Sequence, residues 1–345
     1  MKSKIINIIK LVVFFSIGIL LVWLSFKDLS DNDISEIKKS FLNANYFWLF
    51  VSICIGMLSH IIRAHRWNML ADSLGYKPKF SNSFFAVMVG YLVNYGVPRL
   101  GEISRCTVLN KYEKIPFTQS FGTVVAERVL DLIFYFLIVI TMIFTQYQKI
   151  SEYLNKHVYP LLEDKMNLIT GNKIIVISII GTICISLILM FFLRSKIKGL
   201  LSSKIGGFIK GFYDGLISVK NVKRPLLFLV YTALIWVCYY LALYTCLLCL
   251  PESSAFGFDT GITAFVFGSL TVMITPGGIG AYPYAIQKVL LLIYGVNEAL
   301  GASIGWLSWS ESLVVIVLTG VLSFILLPLM NKNYLPEIKS NKTAS

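Results

Sequence analysis

The sequence predicts an all-α fold: a polytopic membrane bundle of about six spanning helices, with two re-entrant helical hairpins entering from opposite faces. Three observations carry this. The 345 residues are 56% hydrophobic and only 14% charged, with a mean hydropathy of +0.73. Apolar runs at about 5–27, 46–66, 118–147, 173–193, 225–249 and 299–329 reach the roughly 20 residues that a helix needs to cross a bilayer. Two further apolar stretches are interrupted by Gly and Pro before they are long enough to cross.

The first run is expected to be a signal anchor that is kept. Phe26-Lys27-Asp28 follows it, where a cleaved signal peptide would show a small-x-small site. Lys2, Lys4 and Lys10 precede it, and the loop after it is acidic, with Asp28, Asp31, Asp33 and Glu36. Arg63, Arg66, Lys77 and Lys79 read as a basic group following the second span. Arg194, Lys196, Lys198, Lys204, Lys210, Lys220, Lys223 and Arg224 fill 194–224, and Lys332, Lys339 and Lys342 stand in the tail. Alternating spans put all of these on one side, as the positive-inside rule requires. The net charge of +13 is therefore a topology signal, and nucleic acid is not an expected partner. The expected location is a bacterial inner membrane, with both termini cytoplasmic.

The loops 28–45, 147–172 and 194–224 are too short for a soluble domain, so 1–330 reads as a single transmembrane domain with a short tail at 331–345. Within 194–224, Ile197, Leu200, Leu201, Ile205, Phe208, Ile209, Phe212, Leu216 and Ile217 recur at i, i+3 and i+4 between lysines. That pattern predicts a basic amphipathic helix on the cytoplasmic leaflet. Gly199, Gly206, Gly207, Gly211 and Gly215 weaken it, and a solvated basic loop is the alternative.

The first hairpin is expected over about 80–112. Phe80 to Val93 is apolar, the chain breaks at Gly96-Val97-Pro98, and Arg105, Lys111 and Lys114 follow too soon to lie outside. The second is expected over about 260–296, broken at Thr275-Pro276-Gly277-Gly278-Ile279-Gly280. Paired interrupted segments point to a transporter's central site, and their broken backbones offer N–H groups to an anion. Tight packing turns are the plainer reading.

Polar residues concentrate around the first hairpin. Asn94, Arg99, Gly101, Glu102 and Arg105 lie on it, and Glu127, Arg128 and Asp131 lie inside the next span. Charges at membrane depth persist only if paired, hydrated or used. Glu127 and Asp131 are spaced i, i+4, so they share one helix face. They are expected to point inward, toward Arg99 or Arg105. Arg99, Glu102, Arg128 and Asp131 are expected to form one buried cluster around an anionic headgroup, a purely structural ion pair being the alternative. Glu311 stands deep in the last span; Ser308 and Ser312 are expected hydrogen-bond donors to it, with a proton-coupling role as one reading and satisfied burial against Arg128 as the other.

Enzyme readings fare worse. His60, His65 and His157 show no metal-ligand spacing, and there is no nucleophile elbow, P-loop or dinucleotide glycine pattern. Neither a metal nor a cofactor is expected. Cys54, Cys106, Cys184, Cys238, Cys246 and Cys249 all fall in apolar spans or on the expected cytoplasmic side, so no disulfide framework is indicated. Cys246 and Cys249 read as packing residues. Asp31-Asn32-Asp33 is an Asp-x-Asp in the first outer loop, where a catalytic acid of a membrane glycosyltransferase would stand; a solvated acidic turn is the plainer reading.

Asn94-Tyr95-Gly96-Val97-Pro98-Arg99-Leu100-Gly101-Glu102-Ile103-Ser104-Arg105, Val125-Ala126-Glu127-Arg128-Val129-Leu130-Asp131 and the later Pro276-Gly277-Gly278-Ile279-Gly280 together resemble the membrane region of lysylphosphatidylglycerol synthases. That family is often called flippase-like. The resemblance covers nearly the whole chain and implies a membrane bundle that handles lipid. The chain departs from the family at Ala281-Tyr282-Pro283-Tyr284, where an acidic residue is common, and near Glu311, where an arginine is. The soluble aminoacyl-transfer domain of the full synthases has no counterpart in these residues, so synthesis of lysyl-lipid is not expected.

The leading expectation is a transporter or flippase-like protein for an anionic lipid, a phospholipid or polyprenyl-phosphate derivative. Asn94, Arg99, Gly101, Glu102, Arg105, Glu127, Arg128, Asp131, Pro276, Gly277, Gly278, Gly280 and Glu311 are its candidate binding residues. The alternatives are an accessory membrane module that assists a glycosyltransferase or lipid-modifying enzyme, and a glycosyltransferase using Asp31 or Asp33.

Overall fold

A computed structural model describes residues 16–156 and 204–334, apart from residues 17, 28, 98 and 154, and apart from the side chains of 204–210. The expected span at 173–193, most of the tail and the first part of 194–224 lie outside the described residues. Of the expected first span, 18–26 is helical.

Four long apolar helices form the body: α2 (Tyr46–Ser73), α5 (Phe117–Thr145), α8 (Pro225–Leu247) and α11 (Glu298–Met330). At ~1.5 Å per residue even α8, with 23 residues, is about 34 Å long, enough to cross the roughly 30 Å hydrocarbon core. Their starts are written locally. The Asn45 side chain accepts from the Phe47 amide, the Asn297 side chain accepts from the Ala299 amide, and Pro225 opens α8 where its missing N–H costs nothing. The outward face of α5 is apolar, with Val129, Leu132, Ile133, Phe136, Leu137 and Ile140 exposed, while Glu127, Asp131 and Tyr135 on the other face are buried. Apolar outside and polar inside is the arrangement a lipid solvent selects.

Both hairpins are present. In the first, α3 (Phe80–Gly96) and α4 (Leu100–Glu113) pack on each other. In the second, α9 (Phe258–Ile274) passes through a 3₁₀ turn at Pro276–Gly278 into α10 (Ala281–Tyr294). These helices have 17, 14, 17 and 14 residues, about 21–26 Å, and fall short of a full crossing. The hairpin tips meet. Gly277 has φ +58°, and a Cβ there would lie 2.5 Å from the Tyr95 ring, so only glycine fits both the turn and the contact. The arms of the first hairpin are held by a crossing so close that a Cβ on Gly101 would be 2.0 Å from the Gly90 carbonyl oxygen.

Three expectations need correction. Residues 28–45 are not a loop, because they contain α1 (Asp31–Asn43), opened by a capping box between Ser30 and Asp33 and packed on α11. The second span does not stop at residue 66: α2 continues to Ser73, and Arg63 and Arg66 are buried within it. The expected loop 147–172 starts as helix α6 (Tyr147–Tyr153). In the basic segment, α7 (Lys204–Ile217) packs along α5. A Cβ on Gly122 would lie 2.3 Å from the Phe212 carbonyl oxygen, and one on Gly215 equally close to that of Gln119. Gly211 and Gly215, two of the glycines that blur the amphipathic pattern, thus lie with Gly122 at the seam of a helix crossing.

Candidate functional site

The inward face of α5 meets α2 and α4 at a buried charge cluster. Asp131 accepts from Arg63 and from Arg66, at 2.8 Å each. Glu127 accepts from Arg105 at 2.8 Å and from Arg66 at 3.3 Å. All five residues are at most 4% exposed. The arginines are packed as well as paired: the Arg105 guanidinium lies 3.8 Å from the centre of the Trp67 ring, whose indole N–H donates to Thr123. Arg66 donates to the Thr232 hydroxyl and Arg63 to that of Tyr239. Arg63 Nε, Arg66 Nε and Arg105 Nε are nevertheless buried with no acceptor. Three cations therefore face two carboxylates, with donors to spare.

Beside this cluster, the first hairpin and α5 form a small, partly open cleft. Tyr91, Asn94, Gly101, Glu102, Arg105 and Arg128 line it. Arg128 Nη2 donates to Glu102 at 2.8 Å, and the Arg128 side chain is 44% exposed. Asn94 uses both ends of its amide. Its oxygen accepts from the Gly101 amide at 2.7 Å, capping α4, and its Nδ2 donates to Glu102 at 3.3 Å. Asn94 and Arg128 together fix the Glu102 carboxylate at the cleft wall.

The structure therefore divides what the sequence grouped. Asn94, Gly101, Glu102, Arg105 and Arg128 come together at the cleft, with Glu127 and Asp131 behind them. Arg128 pairs with Glu102 and forms no ion pair with Asp131, because successive helix residues diverge by about 100° and Arg128 faces the cleft when its neighbours face inward. Arg99 joins neither group. It is exposed in the turn between the hairpin arms, with φ +62°, and no ion pair involves it among the described residues.

Pro276, Gly277, Gly278 and Gly280 form the second hairpin's tip and are not among the residues that line the cleft. Trp309 donates to the Gly277 carbonyl at 2.9 Å, and a Cβ on Gly280 would meet the Gly18 carbonyl oxygen at 2.7 Å. Glu311 lies near this tip, 2.7 Å from the Ser52 hydroxyl. The Ser308 hydroxyl donates to its own helix backbone, and Arg128 is engaged elsewhere, so neither is the partner expected for Glu311. Asp33 accepts from the Ser30 amide and hydroxyl as a helix cap.

Arg63 and Arg66 were missed as site residues. Their i, i+3 spacing on one face of an apolar helix, with His60 and Trp67 beside them, is the signal that marks them.

The family profile for the lysylphosphatidylglycerol synthase TM region matches residues 7–320. A UPF0104 membrane protein of Methanocaldococcus jannaschii is 35% identical over 101 residues, which is 28% of this chain and 30% of that protein. The aligned stretch thus spans less than a third of the relative's length. No solved structure matches this chain.

Proposed function

This chain belongs to the family of the lysylphosphatidylglycerol synthase transmembrane region, and on that footing we propose that it is a flippase-like transporter of an anionic lipid. The lipid is a phospholipid or a polyprenyl-phosphate derivative. The observation that carries this reading is the charge imbalance of the buried cluster behind the cleft, taken together with the cleft pair. Arg63, Arg66, Arg105 and Arg128 face Glu102, Glu127 and Asp131, which leaves one positive charge uncompensated at membrane depth. Such a surplus is costly unless an anion completes it. A phosphate monoester or diester fits, because guanidinium forks match phosphate oxygens and bind them with charge-assisted bonds.

Arg128 is the first contact, since it is the exposed guanidinium on the cleft wall. Glu102 holds it in place until the headgroup arrives, and Arg105 lies deeper in the same cleft. Arg99, at the hairpin turn, attracts the headgroup from the surface. The lysine asymmetry supports a cytoplasmic position for both termini in a bacterial inner membrane, and a lipid-modifying enzyme is a fitting partner.

The test uses purified protein in nanodiscs, with retained lipid read by native mass spectrometry. Wild type should retain phosphatidylglycerol over phosphatidylcholine. Arg128→Gln should fold and lose about tenfold in that preference, the value of one charge-assisted hydrogen bond. Equal retention of the two lipids, or an unchanged preference in Arg128→Gln, would overturn the reading. Dithionite quenching of a fluorescent phosphatidylglycerol in proteoliposomes then separates a transporter from a module that binds without moving lipid.

A further inference from the structure

Glu311 is buried, at 8% exposure, but unlike Glu127 and Asp131 it forms no ion pair among the described residues. The groups that face it are neutral. Ser52 reaches it from α2, and Tyr95 on α3, Cys246 on α8, Cys249 just past the end of α8 and Tyr282 on α10 lie close enough to interact with it electrostatically. Helix α1 meets α11 farther toward its start, at Ala299 and Ala302.

The hydrogen-bond geometry adds a sharper constraint. The Ser52 oxygen lies 2.7 Å from Glu311 Oε1 and 2.8 Å from the Ala242 carbonyl oxygen. A hydroxyl carries one proton. If that proton points to an ionised Glu311, two oxygens face each other at 2.8 Å with none between them. If Glu311 is a carboxylic acid, its own proton fills the short contact with Ser52, and the Ser52 proton goes to Ala242. Every contact is then a hydrogen bond. An ionised carboxylate at this site would also have a single donor and no counter-charge, which low dielectric penalises heavily.

The position of this acid matters as much as its state. Trp309, two residues before Glu311 on α11, holds the Gly277 carbonyl at the tip of the second hairpin. Tyr95, which faces Glu311, is also the residue on which the Gly277 turn packs. The proton and the contact between the hairpins therefore share the same side chains.

We propose that Glu311 is a proton-binding site at the junction of the two hairpin tips, carrying its proton while the tips are closed and releasing it to water when they part. The step is a simple dissociation: the carboxylic O–H breaks, the proton passes to an entering water, and the carboxylate is then hydrated. It supplies a proton-coupled motion, independent of which lipid the arginine cleft takes.

Infrared difference spectroscopy of the full chain in nanodiscs tests this. Wild type at pH 7 should show a carboxylic-acid C=O band that disappears in Glu311→Gln and shifts in Ser52→Ala. Glu311→Gln, which mimics the neutral acid, should melt at the wild-type temperature at pH 7. Absence of a band that responds to either substitution would overturn the proposal. Should Glu311→Gln fail to fold, the shift in Ser52→Ala decides alone: a band that moves supports the site, and none that moves refutes it. No lipid beyond the bilayer is needed, so the reading of the cleft can fail while this one stands.

Discussion

Asp131→Asn removes the carboxylate that two buried arginines share. Wild type has Arg63, Arg66 and Arg105 against Glu127 and Asp131; the variant leaves three cations facing Glu127 alone. Breaking a buried pair by removing one partner costs about 3–5 kcal/mol, because the orphaned charge stays in low dielectric. Arg63→Gln acts in the opposite sense. It leaves two cations and two carboxylates, so the cluster becomes balanced. What is lost is the charged hydrogen bond to Asp131, about 1.5–3 kcal/mol, and a longer one to the Tyr239 hydroxyl. At the cleft, Glu102→Gln touches a pair whose arginine is 44% exposed and should cost only about 0–1 kcal/mol. The expected order of destabilisation is Asp131→Asn, then Arg63→Gln, then Glu102→Gln. Unfolding of the detergent-solubilised protein, followed by tryptophan fluorescence across a denaturant series, gives the three differences. Against a total stability of about 5–15 kcal/mol the first should be plain. If Arg63→Gln proves as damaging as Asp131→Asn, the cluster has no cationic surplus, and the argument for an anionic ligand loses its basis.

Gly101→Ala would drive a methyl to 2.0 Å from the Gly90 carbonyl oxygen; the hairpin arms must separate, and a loss of at least about 1–3 kcal/mol is expected in the same assay. Arg99→Gly should raise stability by about 1 kcal/mol, since it relieves a left-handed residue at φ +62°, while lowering capture of phosphatidylglycerol vesicles; unchanged capture would remove Arg99 from the binding path. In a cysteine-free background, Asn32→Cys should react with an impermeant maleimide added outside, and Lys77→Cys and Lys111→Cys should not; external labelling at residue 111 would reverse the first hairpin. The Ser30 hydroxyl and amide hold the Asp33 carboxyl below its ordinary range. Its contribution to the start of α1 is therefore present above the unfolded carboxylate value and lost as pH falls through the lower folded one. In Ser30→Ala the Asp33 titration read by NMR should move up toward an ordinary aspartate.

The fold class was legible from composition and run length, because a bilayer leaves few alternatives for long apolar segments. The two hairpins were legible from broken runs and from the lysines that follow the first. Glu127 and Asp131 were legible as inward residues, since i, i+4 spacing and the cost of charge in lipid permit little else. Their partners were not. Arg63 and Arg66 come from a helix more than 60 positions away and stand near the end of an apolar run, where a hydropathy reading ends the span and assigns them to a loop. Arg128 could be placed in the same stretch but not on the correct side of it, because one residue of helix rotation separates the cluster from the cleft. Ser52 and Glu311 are 259 positions apart, and no local pattern links them. Sequence thus determined which segments are long and apolar enough to cross a membrane and which charges lie inside them. Only helix packing decided how those charges are paired, since pairing depends on the rotation and depth at which distant helices dock.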